Sequence, residues 1–152
     1  LQSRRDLVCR LLLEKKKRAA SRKLVRSIQT GMTDTNFPSI SIGNLASHRE
    51  IEKQVGEKLS LLLWRCNLWI DGCKPWDENK WIGENLKIGD ATFKIEEKIV
   101  RCRATTANPE SGLRDVDTLR ALDSLGQEDF TVAATATSMG QIKSGDPVEV
   151  LS

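Results

Sequence analysis

Cys102 stands between two arginines, Arg101 and Arg103, in the stretch "KIVRCRATTANPESG" at residues 98–112. Neighbouring cations favour a thiolate, the form that ligates metals and attacks sulfur or carbon. In a regular strand, though, successive side chains point to opposite faces, so both arginines would turn away from Cys102. Their influence requires the strand to end or twist there, and the turn-rich "TTANPESG" that follows favours an end. On the residues alone, Cys102 is either a buried core residue or a reactive thiol.

The other cysteines narrow the chemistry. Cys9, Cys66, Cys73 and Cys102 contain no CxxC pair, and His48 is the only histidine. Cys66 and Cys73 lack a third and fourth ligand close in sequence, so a structural zinc site is disfavoured. No signal-peptide pattern is visible, which favours free thiols in the cytoplasm over disulfides. His48 falls in the first turn of an expected helix and reads as solvated or capping, poor support for a Ser-His-Asp triad. There is no Walker loop, dinucleotide fingerprint or HExxH.

Length and charge bound the partners. The 152 residues suffice for one domain with a real core. The net charge of +3 hides an asymmetry: residues 1–30 hold ten of the 24 Lys+Arg and two of the 21 Asp+Glu. The rest is neutral to acidic, which argues against a nucleic-acid binder. Four tryptophans, Trp64, Trp69, Trp76 and Trp81, lie among Asp71, Asp77, Glu78 and Glu84, so they read as core and rim aromatics and not as a base-stacking platform. No apolar run approaches the roughly 20 residues of a membrane-spanning helix.

The elements that must position Cys102 follow from periodicity. Residues 4–28 have helical spacing, with a basic amphipathic character that also fits a transit peptide or a membrane-surface helix. "GMTDTNFPS" reads as a linker and "SISIGNLA" as a short strand. Ser47 and Glu50 form a capping-box pattern for a helix that should stop at Gly56. "LLWRCNLWIDG", "WIGENLKIGD" and "ATFKIEEKIVRCRAT" read as strands, "NPESG" as a turn, and "VDTLRALDSL" as a helix capped by Asp115 or Asp117. Short strands close the chain. The expected class is mainly β with flanking helices (α+β), a barrel or sandwich and not an alternating parallel sheet.

"RCNLWIDG", "PWDENKWIGENLKIG", "RCRATTANPESG" and "GQIKSGDPVEVL", in that order, resemble the MOSC domain over roughly residues 37–151. This domain ends the molybdenum-cofactor sulfurases and occurs in amidoxime-reducing components. "GMTDTNFPSISIGNLAS" is similar to the bacterial branch with two fused modules. The resemblance implies a MOSC-type β-barrel over 31–152, preceded by a basic helical segment at 1–30 that stands where relatives carry an upstream module. It implies a molybdenum cofactor (Mo-molybdopterin) with Cys102 as metal ligand and catalytic residue, or a persulfide on Cys102 in the sulfurase manner. Arg65, Asn67 and Arg101 fall on cofactor contacts, Asn44 on a polar residue near the metal, and Asn108 where the family usually has Asp. Asn67 and Arg65, two apart on an expected strand, would face one side.

Glu78 and Trp81 match the family's "E..W" lead into a strand, where a structural role fits equally, Cys66 replaces a Pro or Gly, and Thr131 and Ala133 replace the glycine and aromatic of an "FGxY". The partners implied are an electron-donor protein, or a sulfur donor or acceptor, and a module that completes the cofactor site. The implied activity is oxidoreduction of N-hydroxylated compounds. The alternatives are a sulfur carrier and a non-catalytic cofactor-binding barrel. Pyridoxal phosphate belongs to the sulfurase's other domain and has no site here.

Overall fold

The computed structural model describes residues 35–151. The helix predicted over 4–28, Cys9 and the first part of the linker lie outside the described residues. Six strands, β1 (Ile40–Asn44), β2 (Leu68–Ile70), β3 (Asn85–Ile88), β4 (Ala91–Val100), β5 (Asp129–Ala136) and β6 (Val148–Leu151), form one sheet. Its order is β2-β1-β5-β4-β3-β6. Only β1 and β2 pair in parallel; the other neighbours are antiparallel. The sheet curls strongly into a half-barrel, flanked by α1 (Leu45–Val55) and α2 (Thr118–Ser124), as the mainly-β expectation required.

Alternation builds the inner face. In β3 Leu86 and Ile88 are buried between exposed neighbours, and in β4 Ala91, Phe93 and Ile95 alternate the same way. They join Ile42, Ile70, Val132 and Ala134 in one core. β3 and β4 meet through the two-residue turn Gly89–Asp90, where Gly89 takes φ 54. Positive φ at the first central position suits a hairpin turn of the primed type, for which glycine is the low-cost choice. A second core joins the helices to Trp64 and Phe130: Ile51 of α1, Ala121 and Leu122 of α2, with Leu59 and Leu63. The tryptophans are core and rim residues: Trp64 is buried, Trp69 and Trp76 pack on this second core, and Trp81 on the first.

Two local expectations are corrected. The N-cap of helix α1 lies three residues before Ser47: it is Asn44, accepting from the Ala46 N–H through Oδ1 at 2.9 Å. Ser47 is drawn inward instead, donating to Glu78 Oε1 at 2.7 Å, and the helix stops at Gly56 in the left-handed region, as expected. "LLWRCNLWIDG" is not one strand. Leu61–Trp64 forms a 3-10 turn capped by Ser60, Arg65 closes it at φ 51, and only Leu68–Ile70 is extended. Arg65 and Asn67 therefore do not share a strand face.

Because β5 runs antiparallel to both β1 and β4, those two strands run the same way and end at the same end of the sheet. Asn44 closes β1 and Cys102 follows β4 at that end. The β4–β5 ladder slips between Lys98 and Val100, where Phe130 and Thr131 of β5 face the single Ile99. Such a bulge re-aims the chain locally.

Candidate functional site

Strand β4 ends at Val100, two residues short of Cys102. Cys102 is the N-terminal residue of the 3-10 turn Arg103–Thr106. Thr105 closes that turn, its N–H at 3.2 Å and its hydroxyl at 3.0 Å both donating to the Cys102 carbonyl. The backbone is tied down while the thiol is left out: Cys102 is an exposed free cysteine, with no hydrogen bond to its sulfur among the described residues. The turn in turn anchors to α2, since Thr105 and Thr118 share a buried hydroxyl contact at 2.9 Å and Thr118 donates to the Thr105 carbonyl.

Arg101 points inward from the same strand end. Its Nε donates to the Phe130 carbonyl at 2.6 Å, its Nη1 to the Trp64 carbonyl at 3.1 Å, and its Nη2 to Thr131 Oγ1. The guanidinium lies about 6 Å from the Trp64 and Phe130 ring centres, at 5.9 and 6.0 Å. Burial pulls its pKa below the usual guanidinium range. Arg101 is thus a strut that ties the end of β4 to β5 and to the 3-10 turn before Arg65. Thr131 supports it at a cost, because this buried residue sits at φ 70, where a β-branched side chain is a genuine outlier. The substitution noted at this position, threonine for the family's glycine, falls where only glycine fits without strain.

The remaining candidate residues divide. Arg65 is exposed and has no hydrogen bond or ion pair from its guanidinium among the described residues. Asn67 is half-buried: its Oδ1 accepts from the Ser41 N–H at 2.8 Å and the Ser41 hydroxyl at 3.1 Å, which leaves its Nδ2 without a partner among the described residues. Asn44 is fully buried and fully engaged, its Nδ2 donating to the Lys74 carbonyl at 2.7 Å and to Glu78 Oε2 at 2.8 Å. Asn108 holds the "NPESG" turn, accepting from the Glu110 N–H at 2.9 Å and donating to Asp115 at 2.8 Å. Arg101 ties the strand end before Cys102 to the Trp64 carbonyl, one residue before Arg65, while Asn44 and Asn108 are hydrogen-bonded within the surrounding turns.

One reading changes with the structure. His48 is neither solvated nor capping: it is 4% exposed, and its Nδ1 accepts from Trp64 Nε1 at 3.0 Å. Burial lowers its pKa, opposed by Glu52. Cys66 has its thiol turned inward to donate to the Leu68 carbonyl at 3.1 Å, and burial pushes it up to about 11. It is a thiol at neutral pH, and an inert one. Glu78, fully buried and taken from sequence only as part of an "E..W" match, proves central, accepting from both Asn44 and Ser47. Desolvation raises its pKa. Its one sequence signal was the "E..W" spacing to Trp81, since the turn Asp77–Trp81 is otherwise as polar as a surface loop.

Among the described residues no three His, Cys, Asp or Glu side chains gather as a metal site. Among the described cysteines Cys102 alone is exposed, following a strand end of the curled sheet. The chain belongs to the MOSC domain family, whose model matches residues 34–149.

The chain is similar to mitochondrial amidoxime reducing component 2 of Rattus norvegicus, 28% identical over 116 residues, which are 68% of this chain and 34% of that protein. It is also similar to mitochondrial amidoxime-reducing component 1 of Homo sapiens, 27% identical over 137 residues, covering 81% of this chain and 39% of that one. The match thus spans little more than a third of either relative. Among solved structures, YiiM from Geobacillus stearothermophilus shares the fold with a TM-score of 0.55 and 14% identity, over 74% of this chain and 54% of that one. Among the described residues no helix is long and apolar enough to cross a membrane.

Proposed function

We propose that this domain binds a molybdenum cofactor, with Cys102 as the protein ligand to the metal, and serves an oxidoreductase acting on N-hydroxylated compounds. The observation that carries the reading is the Cys102 thiol itself, exposed and unpartnered on a backbone fixed by Thr105 and by the Arg101 strut. A soft thiolate matches a metal already held by the sulfurs of its organic cofactor. The names of the amidoxime-reducing relatives supply the substrate class.

In this reading the chain positions and the cofactor reacts: when bound, it supplies the redox-active metal for oxygen transfer. Arg65, with a free fork of donors, takes the cofactor's phosphate or a polar edge of its pterin. Asn67 offers its free Nδ2 beside it. Arg101 acts from below, holding the strand end so that Cys102 faces outward. Electrons arrive from a donor protein. A partner module completes the cofactor site of the domain at 31–152.

Molybdenum content decides. The wild type and Cys102→Ser are purified from a host that makes the cofactor and assayed by elemental mass spectrometry. Metal in the wild type and its loss in the variant are the expected results. Equal metal in both would sink the ligand assignment. Metal in neither, with a persulfide mass on Cys102, would favour the second reading, a sulfur carrier, for which an exposed lone thiol is equally suited.

A further inference from the structure

A groove of about 330 Å³ lies along the 3-10 turn that follows Cys102 in the chain. That is the lower end of the size that takes a small organic ligand. Arg103 and Thr106 of the 3-10 turn line one side, and Arg114, bridged across from Ala107, lines the other. Neither Arg103 nor Arg114 has an ion pair or a side-chain hydrogen bond among the described residues. Two carboxylates also touch the groove, but both are engaged: Asp115 accepts from Asn108 Nδ2 at 2.8 Å, and Asp117 caps α2 through the Arg120 N–H at 3.1 Å. These two acids form a shared wall, since they also line a second groove of about 440 Å³ that holds Glu57 and Arg120. The groove therefore sets the free donor capacity of two guanidinium groups beside two carboxylates, with Val116 and Leu119 as apolar surface.

We infer that this groove binds the anionic group of a small organic molecule, a carboxylate, and holds the rest of that molecule toward Cys102. Two arginine forks match a carboxylate's geometry and charge. The carboxylate wall disfavours a doubly charged anion such as phosphate, and the apolar side chains favour an organic body over a bare ion. That the bound anion is the substrate's own rests on the proposed role of Cys102. That the groove takes an organic anion does not, and it is tested without metal.

The probe is alkylation of Cys102 by iodoacetate and by neutral iodoacetamide, each referenced to N-acetylcysteinamide in the same solution and read by peptide mass spectrometry. Two nearby cations should raise the iodoacetate preference at Cys102 by about fivefold at low salt, an advantage that salt erodes. Sodium benzoate should slow the labelling at concentrations where inorganic phosphate does not. The double variant Arg103→Gln with Arg114→Gln should lose both the preference and the benzoate protection. Arg120→Gln, confined to the other groove, should keep both, and circular dichroism checks that each variant is folded. Equal labelling by the two reagents, or a preference unchanged in the double variant, would overturn the inference. Protection by phosphate equal to that by benzoate would overturn the choice of a carboxylate. If Cys102 proves to bind no molybdenum, the labelling result stands unaltered.

Discussion

The two polar clusters at the shared end of β1 and β4 are built on opposite plans. Around Glu78 every polar atom is answered: Asn44 uses its amide N–H groups on Lys74 and Glu78 and its carbonyl on the start of α1, and Ser47 donates to Glu78 while accepting from the Trp76 N–H. Around Cys102 the backbone, Arg101 and the threonine hydroxyls are answered, and the outward side chains are not. The thiol and the Arg65, Arg103 and Arg114 guanidinium groups have no partner among the described residues. Buried polar groups without partners cost stability, so the first cluster had to close. Exposed ones cost little, which leaves the second open to ligands. Hydrogen-bond closure separates scaffold from site here, whereas residue type does not: both clusters contain residues that sequence reasoning placed at the cofactor.

The largest expected effect breaks the closed cluster. Glu78→Ala leaves one N–H of the buried Asn44 amide and the Ser47 hydroxyl without an acceptor, and should destabilise the fold by about 2–4 kcal/mol. Chemical denaturation measures this; a loss under about 1 kcal/mol would mean that water replaces the carboxylate and that the cluster is not closed.

Thr131 joins the two regions and gives the next effect. Thr131→Ala keeps the strained φ of 70 but loses the hydroxyl that accepts from Arg101, whereas Thr131→Gly loses both the bond and the strain. Alanine normally beats glycine by about 0.4–1 kcal/mol through the unfolded chain. At this position the order should reverse, glycine exceeding alanine by about 1 kcal/mol, because a left-handed non-glycine residue costs roughly 1–3 kcal/mol. The usual order would show that the bulge relaxes and that Arg101 is held without help from residue 131.

Much of the frame was legible. Burial at every second residue marked β3 and β4, and Gly56 marked the end of α1. The capping box at Ser47 and Glu50 misled because local spacing cannot register a carboxylate 31 residues away, and it is Glu78 that claims the Ser47 hydroxyl. "LLLWR" misled because an unbroken apolar run carries no period, so nothing betrayed the 3-10 turn or the left-handed Arg65. Cys102 was visible through its motif and through the turn signal behind it. The groove was invisible, since Arg103 and Arg114 approach each other only once the "NPESG" turn folds the chain back.

A smaller effect belongs to His48, the single histidine. Its Nδ1 accepts from Trp64, so protonation would break that bond, and burial keeps its pKa below 6.5. Below that value the unfolded chain binds a proton that the native state does not. Stability should therefore rise with pH up to about 6.5 and decline as pH falls from there toward about 5.5, where carboxylates begin to contribute. Thermal melts of the wild type and His48→Gln test this. The glutamine oxygen can accept from Trp64, and the slope in that window should vanish with the imidazole. A slope that survives would place its origin in the carboxylates.

The smallest expected effect sharpens the comparison most. Cys102→Ser on the metal-free chain replaces an exposed thiol that has no hydrogen bond among the described residues, on a backbone held by Thr105, and should change stability by no more than about 0.5 kcal/mol. A residue whose replacement abolishes metal retention while leaving the melt unchanged is there for its ligand. A destabilisation above about 1 kcal/mol would instead place the sulfur inside the packing of the turn, and the open cluster would have to be redrawn around Arg65, Arg103 and Arg114 without it.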